Sequence, residues 1–395
     1  MRLTVLFLGM FAVGVDGFVI AGILTPISED LGVSVSTAGL LETSFALAVA
    51  LLAPFVLTFM GSVKPRKALV ASLILFTVFN LVSAFAPWFW LVLVARVLAA
   101  ISVGVFTATA PVAASMSVQQ EKQGRALAIV TSGMTAGIVL GVPIGIILTN
   151  ELSWRWSFTL VAMLGLIAAI GCSTQFAGLP APPPATMKER GRVVTRPAIL
   201  LMLITLLIWM VGGYVLYIYM GPMLESVAEL SSESLPYIFF GFGVMSIIGN
   251  LLGGVATDRL GVTPTLLIGL LGGGSGLALS SLFGHNQVGV VVAVLIWSLA
   301  GWMLTPPQQF RLLAQAPSQA PVLMSLNASA LYLGMGLGGL IGGLVVRHGS
   351  LRDLGWVGSI FEAIAIMLVL LQTRIGSQEN KTAGSNSKQK EDSVA

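Results

Sequence analysis

Twelve stretches of mostly apolar residues follow one another along this chain, each close to the ~20 residues that cross a bilayer as a helix. They fall near 3–25, 37–60, 67–86, 89–114, 126–149 and 157–178, then near 198–220, 236–256, 264–284, 288–308, 322–345 and 354–373. Charged residues make up only 9% of the chain, against roughly 25% in soluble domains. Lipid must therefore cover most of the surface. Backbone polar groups in lipid have to be satisfied within each segment, so the fold class is an all-α membrane protein of twelve transmembrane helices. The apolar start is a span and not a cleaved leader, because Asp16 interrupts it and a second span follows at once.

The spans group into two sets of six. Residues 1–178 form an N-terminal six-helix bundle, and 198–373 a C-terminal one. Between them, 179–197 reads as a polar linker, with Pro182, Pro183 and Pro184 followed by Lys188, Arg190, Arg192 and Arg196. Residues 374–395 are rich in Ser, Asn, Gln, Lys and Glu and read as a disordered tail. The sets resemble copies of one unit. Gly137, Gly141 and Gly145 of the fifth span recur as Gly334, Gly338 and Gly342 of the eleventh, at an offset of 197. Pro26 and Pro222, closing the first and seventh spans, differ by 196. Such repeats are typical of secondary transporters, whose site lies near the midplane between the halves.

Lysine and arginine set the orientation. With the N-terminus inside, sixteen of the twenty basic residues fall in cytoplasmic segments, and only Arg155, Arg347 and Arg352 in outer loops. Both termini are expected in the cytoplasm. The remaining base, Arg96, lies inside the fourth span. The net charge of +4 is scattered through short loops without a groove-reading motif, so no nucleic-acid partner is expected. A single cysteine, Cys172, and two distant histidines, His285 and His348, predict neither a metal site nor a cofactor. No phosphate-binding Gly-x4-Gly-Lys loop is present, so ATP is not expected to drive this chain directly.

Charges inside spans are expensive and mark candidate sites. Asp16, near the middle of the first span, is the sharpest, and helix rise places it at the depth of Arg96. The two are expected to pair and to couple transport to protons. Glu42, near the outer end of the second span, is expected to reach water, and Glu362, on the twelfth, to be peripheral. Tyr214 and Tyr217 share a face of the seventh span with Met210 and Gly221, and the tenth carries Trp297 and Trp302. These aromatics suit an amphipathic small molecule, although such stripes more often serve packing.

Three motifs carry a family resemblance. Gly254-x-x-x-Asp258-Arg259-x-Gly261, after the eighth span, resembles the loop signature of the major facilitator superfamily. There the glycines would let helices meet closely, and the acid would accept from a neighbouring helix N-terminus. The matching first-half loop, GSVKPRK, keeps only Arg66 and Lys67 and lacks the acid. Leu93-x-x-Arg96 with Gly104 resembles the superfamily's fourth-span motif, in which the arginine serves proton coupling. Gly137, Gly141, Pro143 and Gly145 resemble the antiporter motif of its drug exporters, and their spacing also allows close packing. Trp154-Arg155-Trp156 matches an outer boundary, for which an aromatic interface belt is a sufficient reading.

Over nearly its full length the chain resembles the twelve-span drug/proton antiporter family, and its N-terminal pattern, DGFVIAGILTPISEDLGVS then AGLLETSFAL, the bacterial arabinose-, purine- or chloramphenicol-efflux branch. The resemblance implies a monomer in the bacterial inner membrane, exchanging protons for a small molecule by rocking of the halves. A proton-coupled importer or a sugar facilitator would share the fold, as would a non-transporting membrane sensor. An enzyme is not expected, since no catalytic constellation lies within the spans.

Overall fold

In the computed structural model, residues 2–52, 55–56, 63–176, 196–316 and 319–392 are described, the side chains of Pro321 and of residues beyond Thr373 excepted. The first span is two helices, Arg2–Asp16 and Ile20–Asp30, bent by 52° at residues 17–19. The second begins with Val35–Ala38, whose first turn Ser34 caps by accepting from the Thr37 amide, and continues as Leu40–Leu51. Its remainder lies partly outside the described residues. Ten further spans are single long helices or closely abutting pairs: Pro65–Phe85, Phe89–Ser115, Gln120–Glu151, Trp154–Gln175, Pro197–Ser226, Leu235–Leu260, Val262–Leu282, Gln287–Gln315, Ala320–His348 and Asp353–Thr373. Proline in the first turn starts the third and seventh, where its missing N–H leaves no bond unmade. Large aliphatic side chains such as Ile167, Ile170 and Leu271 face outward because the surrounding medium is apolar.

The packing partners recur between the two sets of spans. The first span packs on the fifth and sixth, as the seventh does on the eleventh and twelfth. The third packs on the fourth and sixth, as the ninth does on the tenth and twelfth. Between the halves, the second span meets the eleventh and the eighth meets the fifth. Two pseudo-symmetric six-helix bundles result. The expected linker at 179–197 lies outside the described residues save Arg196 and Pro197. From Arg374 the backbone continues the last helix to Asp392 instead of ending as a tail. Gln, Lys and Glu favour helix, and extending an existing helix costs far less than starting one.

The ends of the molecule differ. At the acidic end, which carries Asp30 and Glu225, the halves are joined: Thr25 donates to Glu225 Oε2 (2.7 Å), Ser36 to the Gly343 carbonyl (2.7 Å), and Asn150 to the Ser232 carbonyl (2.8 Å). Deeper in, Tyr217 donates to the Phe18 carbonyl at 3.3 Å. Among the described residues no hydrogen bond joins the halves at the basic end, which carries Lys122, Arg259 and Arg311.

Candidate functional site

The bend in the first span builds the site. Asp16 ends one helix, so its carbonyl is free of the ladder at the depth where its carboxylate is buried. Arg96, from the fourth span, answers both groups. Its Nη1 donates to Asp16 Oδ1 at 2.6 Å and its Nη2 to the Asp16 carbonyl at 3.2 Å. The same Nη2 donates to Glu42 Oε2 at 3.1 Å. All three side chains are withdrawn from solvent, none more than 2% exposed. The guanidinium lies over the Phe45 ring, 4.0 Å from its centroid, with Phe158 at 5.8 Å. Charge-assisted pairing and a cation–π face together hold one cation against two acids.

Asp16 and Arg96 are thus brought together as their depths suggest. Glu42 is a correction: it is 1% exposed and belongs to the cluster rather than to water. Its place near the outer end of the second span suggests access to water, but packing of that span against the fourth and eleventh seals it in. Among the described residues Asp16 Oδ2, Glu42 Oε1 and Arg96 Nε have no hydrogen-bond partner.

Beyond Phe18 lies a cavity, part of it open to solvent. Tyr214, Tyr217, Trp297 and Trp302 all line it, with Met210 beside them. Sequence reading missed Phe18, Trp209, Phe242, Ser298 and Leu331. Phe18 was within reach, two residues from Asp16; the others carry no signal that separates them from packing residues. Tyr217 is the hub, its ring 5.3 Å from Tyr214, 5.4 Å from Phe242 and 5.8 Å from Phe18 between centroids. Trp297 continues the cluster, 5.2 Å from Phe242. Tyr217 and Phe18 close the cavity toward the acidic end. Gly221 does not line it; it faces the Ala21 carbonyl across the halves.

The glycine stripe runs along this site. Gly133, Gly137, Gly141 and Gly145 face Phe7, Phe11, Val15 and Val19 in turn, so that two four-residue periods mesh along the first and fifth spans. Gly334, Gly338 and Gly342 face Leu207, Val211 and Val215 of the seventh span in the same way. Residues 137–141 form a wide π turn, followed by Pro143 in the first turn of Val142–Glu151. The loop motif is less engaged. Gly261 has φ +88°, which only glycine adopts without strain. Asp258 and Arg259 are exposed and make no side-chain hydrogen bond among the described residues, contrary to the expected capping. Nor does Gly254 carry the close approach. Gly249 and Gly253 do, against the Leu299 and Met303 carbonyls of the tenth span, because they share the face turned toward it. Trp154, read as interface belt, is buried and donates to Asp30 (3.1 Å), while Arg155 binds Asp30 and the Ala86 carbonyl. Trp156, half exposed, fits the belt.

Comparison with known families and structures places this fold. The family model described as Major Facilitator Superfamily covers residues 6–320 and 230–392. The chain belongs to the major facilitator superfamily. It is 32% identical over 370 residues to the uncharacterized MFS-type transporter YbcL of Bacillus subtilis, covering 94% of this chain and 95% of that one. It is 31% identical over 380 residues to the inner membrane transport protein YdhP of Escherichia coli K12, covering 94% and 96%. Among solved structures, a D-xylose-proton symporter superposes with TM-score 0.76 at 16% identity, over 94% of this chain and 96% of that one. A bacterial homolog of the human lysosomal transporter Spinster, inward-facing and occupied, gives 0.77 at 18%, over 94% and 96%. This superfamily member is a multi-pass membrane transporter.

Proposed function

We propose that this transporter exports a small amphipathic drug or metabolite from the bacterial cytoplasm across the inner membrane in exchange for protons, working as a monomer. The observation that carries the reading is the buried cluster of Asp16, Glu42 and Arg96. Two carboxylates face one guanidinium, so a single proton decides whether the cluster is neutral. The cluster sits at the bend of the first span, where Val15 meets Gly141 and Phe18 meets Tyr214 and Tyr217 (ring centroids 6.5 and 5.8 Å apart). Gain or loss of that proton therefore acts on the element that touches both the glycine stripe and the cavity. The lining is aromatic with few polar groups, which favours an amphipathic ligand over a sugar. Taking the basic end as cytoplasmic, the hydrogen bonds that join the halves at the acidic end support an inward-facing reading.

The test is uptake into inverted membrane vesicles with an acidic interior, using ethidium, chloramphenicol and L-arabinose as cationic, neutral amphipathic and sugar probes. Export by exchange predicts that an amphipathic probe accumulates inside and that collapsing the proton gradient releases it. Accumulation of arabinose alone would replace the amphipathic substrate by a sugar, and uptake only with an alkaline interior would favour the importer reading.

A further inference from the structure

A second buried acid lies outside the coupling cluster. Glu362, on the twelfth span, is 0% exposed, and neither carboxylate oxygen has a hydrogen-bond partner among the described residues. Its expected peripheral position is not what the structure shows. It is seated among glycines. A Cβ on Gly212 would stand 3.5 Å from Glu362 Cγ, one on Gly274 3.1 Å from its Cβ, and one on Gly273 3.6 Å from its Oε1.

The N-terminal half shows what this cradle replaces. Subtracting 197 from 362, 273 and 274 gives 165, 76 and 77. In that half a Cβ on Gly165 would stand 2.9 Å from Phe76 and Thr77 side-chain atoms. There the small residue is on the sixth span and the bulk on the third. In the C-terminal half the roles are exchanged: the ninth span has lost its bulk, and the twelfth fills the space with a carboxyl group.

Among the described residues no cation answers Glu362. The ninth span and residues 287–302 of the tenth carry no acid, base or histidine. On the seventh, Tyr217 donates to the Phe18 carbonyl, and Tyr214 lines the cavity. On the eleventh, Arg347 and His348 lie at the acidic end, and Tyr332 makes no hydrogen bond to Glu362. On the twelfth span itself, Asp353 lies nine residues away at the acidic end, where it accepts from the Ser350 amide. Arg311 is held by Gln308 (2.7 Å) and by Gln372 (2.8 Å), ten positions along the helix from Glu362. An isolated carboxylate at such a place is costly, whereas a neutral acid is not.

The space leads toward the cavity. The position a Gly273 side chain would occupy is bounded by Glu362 Oε1 at 3.6 Å and by Gly301 Cα at 3.8 Å, and Gly301 lines the aromatic cavity. We propose that Glu362 is an exchangeable proton-binding site of the C-terminal half, loaded from the aromatic cavity across the gap between Gly273 and Gly301. The carboxylate takes up a proton supplied by water in the cavity and returns it by the same route. This goes beyond the coupling cluster and requires no particular substrate or direction of transport.

Infrared difference spectroscopy of the purified full-length protein, wild type minus Glu362→Gln, tests it without any ligand. The wild type should show the carbonyl stretch of a protonated carboxyl that the variant lacks, and transfer to D2O should shift that band promptly. Gly273→Ala, whose methyl fits at ordinary contact distance yet fills the gap, should keep the band and slow its deuterium shift. If Glu362→Gln does not fold, Glu362→Asp serves, and its band should move in frequency. Absence of any carboxyl band assignable to Glu362 would overturn the proposal, and so would a band that stays unshifted in D2O. Neither result bears on the efflux assay, so a failure here leaves the export reading to be judged separately.

Discussion

With Asp16 and Glu42 both ionised, the cluster around Arg96 carries one negative charge in a site closed to solvent. Removing either acid should make it neutral without a proton. Asp16→Asn keeps an acceptor for Arg96 and leaves the Arg96–Glu42 pair, so the protein should fold while uphill efflux is lost. Glu42→Gln should behave likewise, for the mirror reason. The double variant isolates a buried guanidinium, at a cost on the order of 3–5 kcal/mol. Its loss of thermal stability in detergent should exceed the sum of the single losses. Additive losses, or a single variant that still concentrates substrate, would remove the charge-balance argument. Asp16 and Arg96 were legible in sequence because each interrupts an apolar run. Glu42 was not, because its depth depends on how the second span packs against the fourth and eleventh, which no local pattern encodes.

Among the elements, the fifth span shows most clearly what periodicity can and cannot reveal. Glycines every four residues announce a close helix approach; that the partner is the first span, in register with Phe7, Phe11, Val15 and Val19, emerges only from the fold. The partner matters because Val15 adjoins Asp16. A large side chain at Gly141 would drive against Val15 and shift the bend on which the acid sits. Gly141→Leu should therefore damage coupled transport before it damages membrane yield. Ile147→Phe, at a half-exposed position off the stripe, should leave both within about twofold, since substitutions away from such contacts typically change stability by under ~0.5 kcal/mol. Yield, thermal stability and substrate-driven proton release would be compared for each. Normal antiport by well-folded Gly141→Leu would withdraw the stripe's support for export. The eighth span carries the complementary lesson. Its motif glycine, Gly254, was legible as a pattern, but helix phase gives the close approach to Gly249 and Gly253.

For the whole molecule, the recurrence of packing partners between the halves explains how one structure can have a second state. If the bundles are rigid and alike, closing the basic end requires opening the acidic one. Opening the acidic end means breaking the hydrogen bonds made there by Thr25, Ser36 and Asn150. Glu225 is the most direct to test, because it accepts from Thr25 across the halves and from Ser232 within its own (2.8 Å). A net hydrogen bond contributes about 0.5–1.5 kcal/mol. Losing the Thr25 bond should thus raise the population open at the acidic end by roughly two- to tenfold. Met210, on the cavity wall, can report that population as Met210→Cys in a Cys172→Ser background, since the natural cysteine is buried. A membrane-impermeant maleimide should label this cysteine readily in inverted vesicles and poorly in intact cells. Adding Glu225→Ala should raise labelling in intact cells by that factor. Equal labelling from both sides without Glu225→Ala would mean that the closed acidic end is not the resting state, and preferential labelling in intact cells would reverse the orientation drawn from the basic loops.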